Sequence, residues 1–538
     1  MILGKVQNRA KRSRMRIFVA RWLLATTAVM LLIGPTRATA ALDHSFNDDG
    51  ILFPEVFGGI DDLAMDGTTF IASGSVDGNP AQLAAFRITL DGQIDSSFSG
   101  DGVFTLPGYG GRGVGISPRA GGGYWVGGWV RLPILETTQD FALVAVTSAG
   151  ELDTSFGGGD GLVSVDLGGD DAAEAMTLDP SGRILLAGRS VDTNGSTSSQ
   201  TAVVRFTSAG VPDSSFGGDG GVTYPGGAGE FDDARGIATT GGGQPIAVGA
   251  STSSADGSSQ LVLARLEEDG DLDPTFGEGG LVMPDLAPRS AGSGVEVLPN
   301  GKILVGGWAG GAAASGFAVA RMKPDGSLDG SFGQGGKGYT VVDLGASEQV
   351  EGLATMSDGS ILLAGNIDWA LADHAVVRFT KQGLLDPLFG KKTTNLWTDQ
   401  FGNDSDDLVM AFLVMPDDRY VIGGTSSVGL NGLTGYRPAV ARYRNPGPAC
   451  TKVGTPRNDT MHGSRGADIL CGIGGDDEIT GSRGADRIYG GLGKDSLFGG
   501  RGNDSLFGEA GPDLMNGGDG RDACRDREGK NHRVSCET

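Results

Sequence analysis

Internal repetition is the sequence feature that most constrains this chain, and it occurs at two different periods. From Leu42 to Pro446 a Leu-Asp-x-Ser-Phe motif returns seven times, at intervals of 52 to 60 residues. Its phenylalanines are Phe46, Phe98, Phe156, Phe216, Phe276, Phe332 and Phe389. From Gly454 to Cys524 the period is instead nine residues. Because each repeat folds as a unit that packs on its neighbours, the sequence predicts two repeat domains of different kinds.

Each long unit contains about four short apolar runs separated by Gly or Asp-Gly turns. A second signature, a turn followed by an apolar run, ends in every unit at a glycine: Gly74, Gly128, Gly188, Gly249, Gly307, Gly365 and Gly424. No convincing ten-residue amphipathic helix interrupts this pattern. Four strands per unit, repeated seven times, predict a seven-bladed β-propeller over residues 41–446, with an open β-solenoid as the alternative.

The two ends of this region complement each other. The last unit finishes at Val440-Ala441-Arg442, and Cys450 stands where the motif aspartate is expected. The missing motif occurs at Leu42-Asp43-His44-Ser45-Phe46. We therefore expect one blade to combine strands from both ends, which closes the ring and leaves no open sheet edge.

Two further patterns place charged residues on the units. An arginine precedes the motif aspartate by eight residues in most units, across a glycine turn that indicates a hairpin: Arg87/Asp95, Arg205/Asp213, Arg265/Asp273, Arg321/Asp329 and Arg378/Asp386. In one unit Ala145, before Asp153, replaces the arginine. A structural pin between strands is the favoured interpretation, and a repeated ligand-binding ion pair is the alternative. Four units also carry paired acids that suit either turns or a cation-binding rim: Asp61-Asp62, Asp170-Asp171, Asp232-Asp233 and Asp406-Asp407.

The long units resemble the "delta-60" repeats, of about 60 residues, found in bacterial secreted proteins. The resemblance covers residues 42–446 and rests on the recurring Leu-Asp-x-Ser-Phe-Gly motif. It implies a propeller-like fold and no defined activity.

The nine-residue units have a fixed internal register. An aspartate recurs without a slip, with a glycine five residues before it and an apolar residue two residues after it. The aspartates are Asp459, Asp468, Asp477, Asp486, Asp495, Asp504, Asp513 and Asp522. If two units make one coil, the aspartates stack in two columns. Neighbouring aspartates within a column then lie about 4.8 Å apart, and their like charges repel. Such a stack requires a cation to fold.

Calcium suits this register, because it takes six to eight oxygen ligands and glycine turns can direct carbonyl groups inward. These units resemble the RTX, or haemolysin-type, calcium-binding repeat, and the match covers residues 454–524. The resemblance implies a parallel β-roll, with the eight aspartates and loop carbonyls as ligands of at most about six Ca²⁺ ions. Residues 447–453 are the expected linker and 454–538 the expected roll. Arg457 and Glu509 depart from the repeat pattern.

All four cysteines lie in or beside the roll: Cys450, Cys471, Cys524 and Cys536. Four cysteines allow three disulfide connectivities. We favour the two local pairs, Cys450 with Cys471 and Cys524 with Cys536. The second pair would cap the end of the stack, since Cys524 occupies the last inward apolar position.

Residues 1–40 read as a Sec-type secretory signal, with a basic stretch, an apolar run and a cleavage site near Ala40. An uncleaved membrane anchor is the alternative. Removing this segment changes the formal net charge from −24 to −32, which argues against nucleic acid as a partner. After signal removal no later segment is apolar enough to span a membrane.

No nucleophile elbow, phosphate loop or zinc-spaced histidine pair occurs in the sequence. The function hypothesis is a secreted calcium-binding protein with a non-catalytic propeller that binds an unknown protein or glycan. The alternative is a propeller lyase or glycoside hydrolase with carboxylates in its channel and a calcium-stabilised tail. A channel in which polar groups converge around paired carboxylates would favour the enzyme, and a featureless or narrow channel would favour the binding module.

Overall fold

The computed structural model describes residues 42–78, 80–131, 138–191, 198–225, 231–311, 315–344, 348–367, 373–390, 397–399, 407–427, 435–444, 447–525 and 532–537. The expected signal segment 1–40 and Asp406 lie outside these residues. The described residues are almost entirely β-structure, and their one helix is a 3₁₀ turn at Gln334–Gly336. No helix in them is long and apolar enough to cross a membrane.

Residues 42–443 form a ring of seven four-stranded antiparallel sheets, as the sequence predicts. Blade 1 consists of Gly58–Asp66, Thr69–Val76, Gln82–Thr89 and Val103–Thr105. Blade 2 consists of Gly110–Pro118, Tyr124–Arg131, Asp140–Val146 and Leu162–Val165. Blade 3 consists of Asp170–Leu178, Ile184–Val191, Ser199–Phe206 and Gly221–Tyr224. Blade 4 consists of Phe231–Thr239, Pro245–Thr252, Ser259–Arg265 and Leu281–Val282. Blade 5 consists of Arg289–Val297, Ile303–Gly310, Ser315–Met322 and Tyr339–Asp343. Blade 6 consists of Glu348–Thr355, Ile361–Ile367, Asp373–Phe379 and Trp397–Asp399.

Blade 7 is built from both ends of the ring, as expected. Its strands Asp407–Val414, Tyr420–Ser426 and Arg437–Tyr443 are completed by Ile51–Leu52, which pairs antiparallel with Val440 and Ala441. A further bridge joins Leu42 to Tyr443. The segment that precedes blade 1 therefore supplies the outer strand of blade 7.

Seven apolar clusters hold the ring together, one at each junction between neighbouring blades. Between blades 1 and 2, for example, Ile71 and Leu83 pack against Val126 and Val144, and all four are fully buried. The seven motif phenylalanines are 0 to 9 % exposed. Each recurring phenylalanine therefore belongs to the packed interior of the ring.

The tail is a parallel β-roll of two five-stranded sheets, which also agrees with the prediction. One sheet contains Lys452–Val453, Ile469–Gly474, Arg487–Leu492, Ser505–Ala510 and Ala523–Arg525. The other contains Thr460–His462, Glu478–Arg483, Ser496–Arg501, Leu514–Asp519 and His532–Val534. The eight expected inward positions, from Met461 to Cys524, form its buried apolar core. Both favoured disulfides, Cys450–Cys471 and Cys524–Cys536, are present.

Candidate metal centres and propeller channel

The repeat aspartates of the roll form two ladders that run along its coils. Oδ1 of each of the six aspartates from Asp477 to Asp522 accepts a hydrogen bond, 2.8 or 2.9 Å long, from the backbone N–H of the aspartate one coil earlier. Asp477 Oδ1 thus accepts from Asp459, and Asp486 Oδ1 accepts from Asp468. The ladders fix one oxygen of each carboxylate, so the second oxygen points in a defined direction.

The second carboxylate oxygen is the atom that indicates a metal. In the described structure, Oδ2 is buried and lacks a hydrogen-bond partner in Asp477, Asp486, Asp495, Asp504 and Asp522. Buried carboxylate oxygens are costly unless they are paired or bind a cation. A repeated orphan oxygen of this kind fits a hard cation such as Ca²⁺.

The first glycine of each repeat shapes the space around this oxygen. A Cβ built on Gly472 would lie 2.3 Å from Asp477 Oδ2 and 2.4 Å from the carbonyl oxygen of Gly490. A Cβ built on Gly490 would likewise lie 2.3 Å from Asp495 Oδ2. A side chain at these positions would fill the cradle where carboxylate and carbonyl oxygens converge. The glycines therefore keep that cradle open.

The electrostatics of the calcium-free roll agree with this interpretation. Burial, with a contribution from neighbouring aspartates, raises the pKa of Asp495 to about 7. Burial also raises the pKa of Asp477 and of Asp486 to about 6. The carboxylates are poorly stabilised as anions without a cation, which is the physical reason for the expected calcium dependence.

The two ends of the ladders differ from the middle. Oδ2 of Asp459 accepts hydrogen bonds from the N–H and hydroxyl of Thr455, and Oδ2 of Asp468 accepts the equivalent bonds from Ser464. At the other end, Glu537 Oε2 accepts the Asp522 N–H, a role that in the middle belongs to a repeat aspartate. Glu537 lies outside the nine-residue period, so no sequence signal identified it.

Backbone oxygens would have to supply most ligands of each ion. The described residues contain no group of three or more His, Cys, Asp or Glu side chains placed around one point. Three positions of the repeat where glycine is replaced still have left-handed backbone, with φ of 85° at Ile473, 84° at Ser482 and 72° at Glu509. The turn geometry of the roll therefore persists at these three replacements.

The arginine–aspartate pairs of the propeller form the expected hairpin contacts. Arg87 Nε donates to Asp95 Oδ2 at 2.8 Å, and its guanidinium lies 5.0 Å from the centroid of the motif phenylalanine Phe98. Its Nη1 also donates to the carbonyl oxygen of Ser148 in the next blade. This geometry matches a structural pin, because the arginine links its own hairpin to its neighbour.

Two units carry variations of this pin. In the unit with Ala145, Arg119 donates to Asp153 at 2.7 Å, so an arginine from elsewhere in the blade replaces the missing one. Asp43 pairs with Arg442 at 2.9 Å and completes the pin of the closing blade. Sequence spacing predicted neither the Arg119 contact nor its position above Trp125.

The described members of the acid pairs do not all lie at one register of the inner strands. Asp61 pairs with Arg112, and Asp233 pairs with Arg235. Asp171 is buried, and one of its oxygens accepts the Leu167 N–H at 2.6 Å. Asp170 accepts the N–H of Gln139 at 2.8 Å. Asp171, Asp232 and Asp407 share one register of the inner strand, whereas Asp61 and Asp62 lie further along theirs. The described acids thus serve local structure or the channel.

The inner strand of each blade contains a β-bulge that directs one side chain into the central channel. The bulge residues are Asp61, Val114, Glu174, Arg235, Ser293, Glu351 and Met410. The seven glycines of the second sequence signature lie opposite these bulges. A Cβ on any of them would lie 1.8 to 2.0 Å from a backbone oxygen of the inner strand. The recurring glycine is therefore required by the bulge.

The bulge residues and their neighbours line a cavity of about 460 Å³, which we call the cup. Its lining brings together charged and polar groups and the apolar side chains of Met176, Leu353 and Phe412. Three ion pairs lie in the cup: Arg112–Asp61, Arg189–Glu174 and Arg235–Asp233. The volume is within the range of small-molecule sites.

Comparison with protein families supports both domains. Residues 453–488, 472–506 and 489–524 match the RTX calcium-binding nonapeptide repeat. Residues 180–216, 246–276 and 298–332 match a β-propeller domain of unknown function, DUF5122. No curated protein sequence matches the chain. The chain thus contains calcium-binding RTX repeats and a β-propeller, and RTX repeats and disulfides are both typical of extracellular proteins.

Several solved structures are similar to this chain at low sequence identity. Sqt1 from Chaetomium thermophilum is 12 % identical, with 74 % of this chain and 99 % of that chain covered and a TM-score of 0.39. A glucose dehydrogenase is 12 % identical, with 58 % and 94 % covered and a TM-score of 0.32. A puromycin-hydrolysing peptidase of Mycobacterium tuberculosis is 10 % identical, with 81 % and 64 % covered and a TM-score of 0.33. At these TM-scores no function is transferred from them.

Proposed function

From the RTX repeats and the seven-bladed ring, we propose that this chain is a secreted binding protein whose tail folds on calcium after export. The repeated orphan Oδ2 atoms of the roll carry the calcium part of this proposal. Metal binding supplies folding free energy where the binding site does not exist in the unfolded chain. Calcium is scarce inside cells and abundant outside, so export would trigger folding of the tail.

We assign the eight repeat aspartates as ligands, namely Asp459, Asp468, Asp477, Asp486, Asp495, Asp504, Asp513 and Asp522. Two columns with three gaps each accommodate at most about six ions. The strongest sites are those with orphan oxygens in the middle coils. The sites at Asp459 and Asp468 are weaker, because a metal there displaces the bonds from Thr455 and Ser464.

Hydrogen–deuterium exchange of the chain without residues 1–40 tests the calcium dependence. We expect amides of residues 469–519 to exchange rapidly in chelator and to become protected in millimolar calcium, while propeller amides change little. The double variant Asp486→Ala, Asp504→Ala should require more calcium for this protection. The matched control is Asp61→Ala, Asp62→Ala, which removes two channel acids and should leave the calcium midpoint unchanged. Protection that is independent of calcium would contradict the proposal.

Secretion is tested separately from calcium binding. We expect expression in a bacterial host with a Sec pathway to release protein whose first residue is near Ala41. Retention of the uncleaved chain in the membrane would instead support the anchor interpretation of residues 1–40.

The propeller is proposed to bind a protein or glycan without chemical turnover. Polar groups converge in the cup, which is the feature expected of the enzyme alternative. However, Asp61, Glu174 and Asp233 each form an ion pair with an arginine, and Oδ2 of Asp62 accepts the backbone N–H of Ile116. Among the described carboxyl groups of the cup this leaves Glu351 outside these contacts, whereas a glycoside hydrolase needs two carboxyl groups free to act on one bond. Binding is therefore favoured. Release of reducing sugar from a polysaccharide panel, abolished by Glu351→Gln, would establish the hydrolase instead.

A further inference from the structure

The cup contains more acids than bases. Its lining includes five carboxyl groups, Asp61, Asp62, Glu174, Asp233 and Glu351, but three guanidinium groups, Arg112, Arg189 and Arg235. Each arginine forms an ion pair with one carboxylate of the cup, at 2.5 to 3.2 Å. Two carboxyl groups, those of Asp62 and Glu351, have no ion-pair partner among the described residues. The cup as a whole is therefore complementary to positive charge.

The two remaining carboxyl groups have different surroundings. Oδ2 of Asp62 accepts the backbone N–H of Ile116 at 2.9 Å, which directs it toward blade 2. Glu351 is the bulge residue of blade 6 and belongs to the ring of channel-facing side chains. Its carboxyl group has a side-chain hydrogen bond with Asn366 and interacts with the charges of Arg235 and Arg112. Met410, the bulge residue of blade 7, and Phe412 line the same cavity. The cup thus combines the Glu351 carboxyl group with a thioether and an aromatic ring.

Glu351 carries a desolvation cost that a cationic ligand would relieve. Burial raises the pKa of Glu351 to about 7, and the nearby Glu174 adds to this, while Arg235 and Arg112 oppose it. These two arginines are already paired with Asp233 and Asp61. A positive group placed at Glu351 would restore its ionised form, in the same way that a salt-bridge partner does.

We propose that the cup binds a small organic ammonium ion, with the ammonium group at Glu351 and its apolar part against Met410 and Phe412. Aromatic faces and carboxylates together are the usual protein surroundings of such cations. The cavity of about 460 Å³ accommodates a small molecule, not a folded partner. This inference rests on the proposed binding role of the propeller and names the ligand class of its channel.

Isothermal titration with choline, in millimolar calcium, tests the assignment. The uncharged isostere 3,3-dimethylbutan-1-ol has nearly the same shape and serves as the matched ligand control. We expect one choline per chain and no measurable heat from the alcohol. Glu351→Gln should weaken choline binding about tenfold or more, because the neutral amide keeps the shape but loses the charge. The control Glu268→Gln removes an exposed carboxylate elsewhere on the propeller and should leave binding unchanged.

A second variant separates loss of binding from loss of folding. Phe412→Leu keeps an apolar side chain and should weaken choline binding about threefold, while titration with the alcohol still gives no measurable heat. No choline binding by the wild-type chain, or equal binding of choline and the alcohol, would overturn the ligand assignment. Equal choline affinity in wild type and Glu351→Gln would overturn the role of Glu351. Binding of a protein or glycan in a separate pull-down with the same preparations would show that the propeller remains a binding module in those cases.

Discussion

Replacing Asp495 by Asn should change the stability of the roll in opposite directions with and without calcium. Asp495 is fully buried in the middle of its column. An asparagine keeps the shape, and its Oδ1 can still accept the Asp477 N–H that Asp495 accepts at 2.9 Å. What disappears is the negative charge at the orphan oxygen. The calcium-free roll loses a repulsion, while the calcium-loaded roll loses a ligand.

The size of the calcium-free effect follows from the charge environment. Two column neighbours about 4.8 Å away repel the Asp495 anion by about 1 kcal/mol each, even at the dielectric constant of water. A pKa raised from 3.8 to about 7 sets an upper limit of about 4 kcal/mol. We therefore expect Asp495→Asn to stabilise the calcium-free roll by about 2 to 4 kcal/mol above pH 7.

The pH dependence has a definite sign. Because folding raises the pKa of Asp495, the wild-type calcium-free roll is most stable below pH 3.8 and loses stability as pH rises through about 7. Acid should therefore protect the calcium-free roll in part. Asp495→Asn should reduce this pH dependence without abolishing it, since Asp477 and Asp486 also have pKa values raised to about 6.

Hydrogen–deuterium exchange of amides in residues 469–519 measures both states in the intact chain. In chelator at pH 8, the variant should exchange more slowly than wild type. In a calcium titration, its protection midpoint should move to a concentration about tenfold higher or more, because ligand charge strongly affects calcium affinity. Asp519→Asn is the control, since Asp519 lies on the same roll but is exposed. Faster exchange of Asp495→Asn in chelator would refute the repulsion argument, and an unchanged midpoint would refute its role as a ligand.

Three further substitutions test other parts of the structure. Arg378→Met should lower the free energy of unfolding by about 3 kcal/mol, because the Arg378–Asp386 pair is fully buried. Arg87→Met, at a pin that is partly open to solvent, should cost about 1 kcal/mol. Equal losses of the two variants in thermal unfolding would contradict this. Burial raises the pKa of Asp43, but hydrogen bonds from Ser45 and Arg419 outweigh it and lower the pKa to about 2. The Asp43 carboxylate therefore stabilises the fold above pH 3.8, and this stabilisation is lost as the pH falls toward 2. Denaturation of wild type and Asp43→Asn should therefore differ at pH 6 and converge at pH 2. Ile473→Gly should stabilise the calcium-loaded roll by about 1 kcal/mol, since glycine tolerates the φ of 85°. A loss of stability would mean that the contacts of the isoleucine side chain stabilise the roll by more than the backbone strain destabilises it.

Much of the fold was predictable because the repeats carry their constraints locally. The spacing of Arg and Asp across a glycine turn fixed the hairpin, and the displaced motif at Leu42 to Phe46 fixed ring closure. In the roll, the inward apolar position followed from the nine-residue register, and the two local disulfide pairs favoured among the three connectivities are both present.

What the sequence did not reveal depends on contacts between units. The recurring glycine of the second signature was recognised as a turn-and-strand marker, but its reason, the facing bulge, requires the paired strand. The cup depends on side chains from all seven blades that share no sequence motif. Arg119 and Glu537 replace repeat residues from positions outside the repeat pattern, so only the folded chain places them.

The composite seventh blade has a consequence for the order of folding. Ile51 pairs with Ala441, so a strand made early in synthesis waits for a partner made almost 400 residues later. Blades 1 to 6 can assemble successively as the chain emerges, whereas the edge at blade 7 stays open until both segments are available. Pairing over so long a loop is intrinsically slow. The exposed edge of Arg437–Tyr443 is thus the surface that a folding chain has to protect longest, and where strand exchange between two incomplete rings would begin.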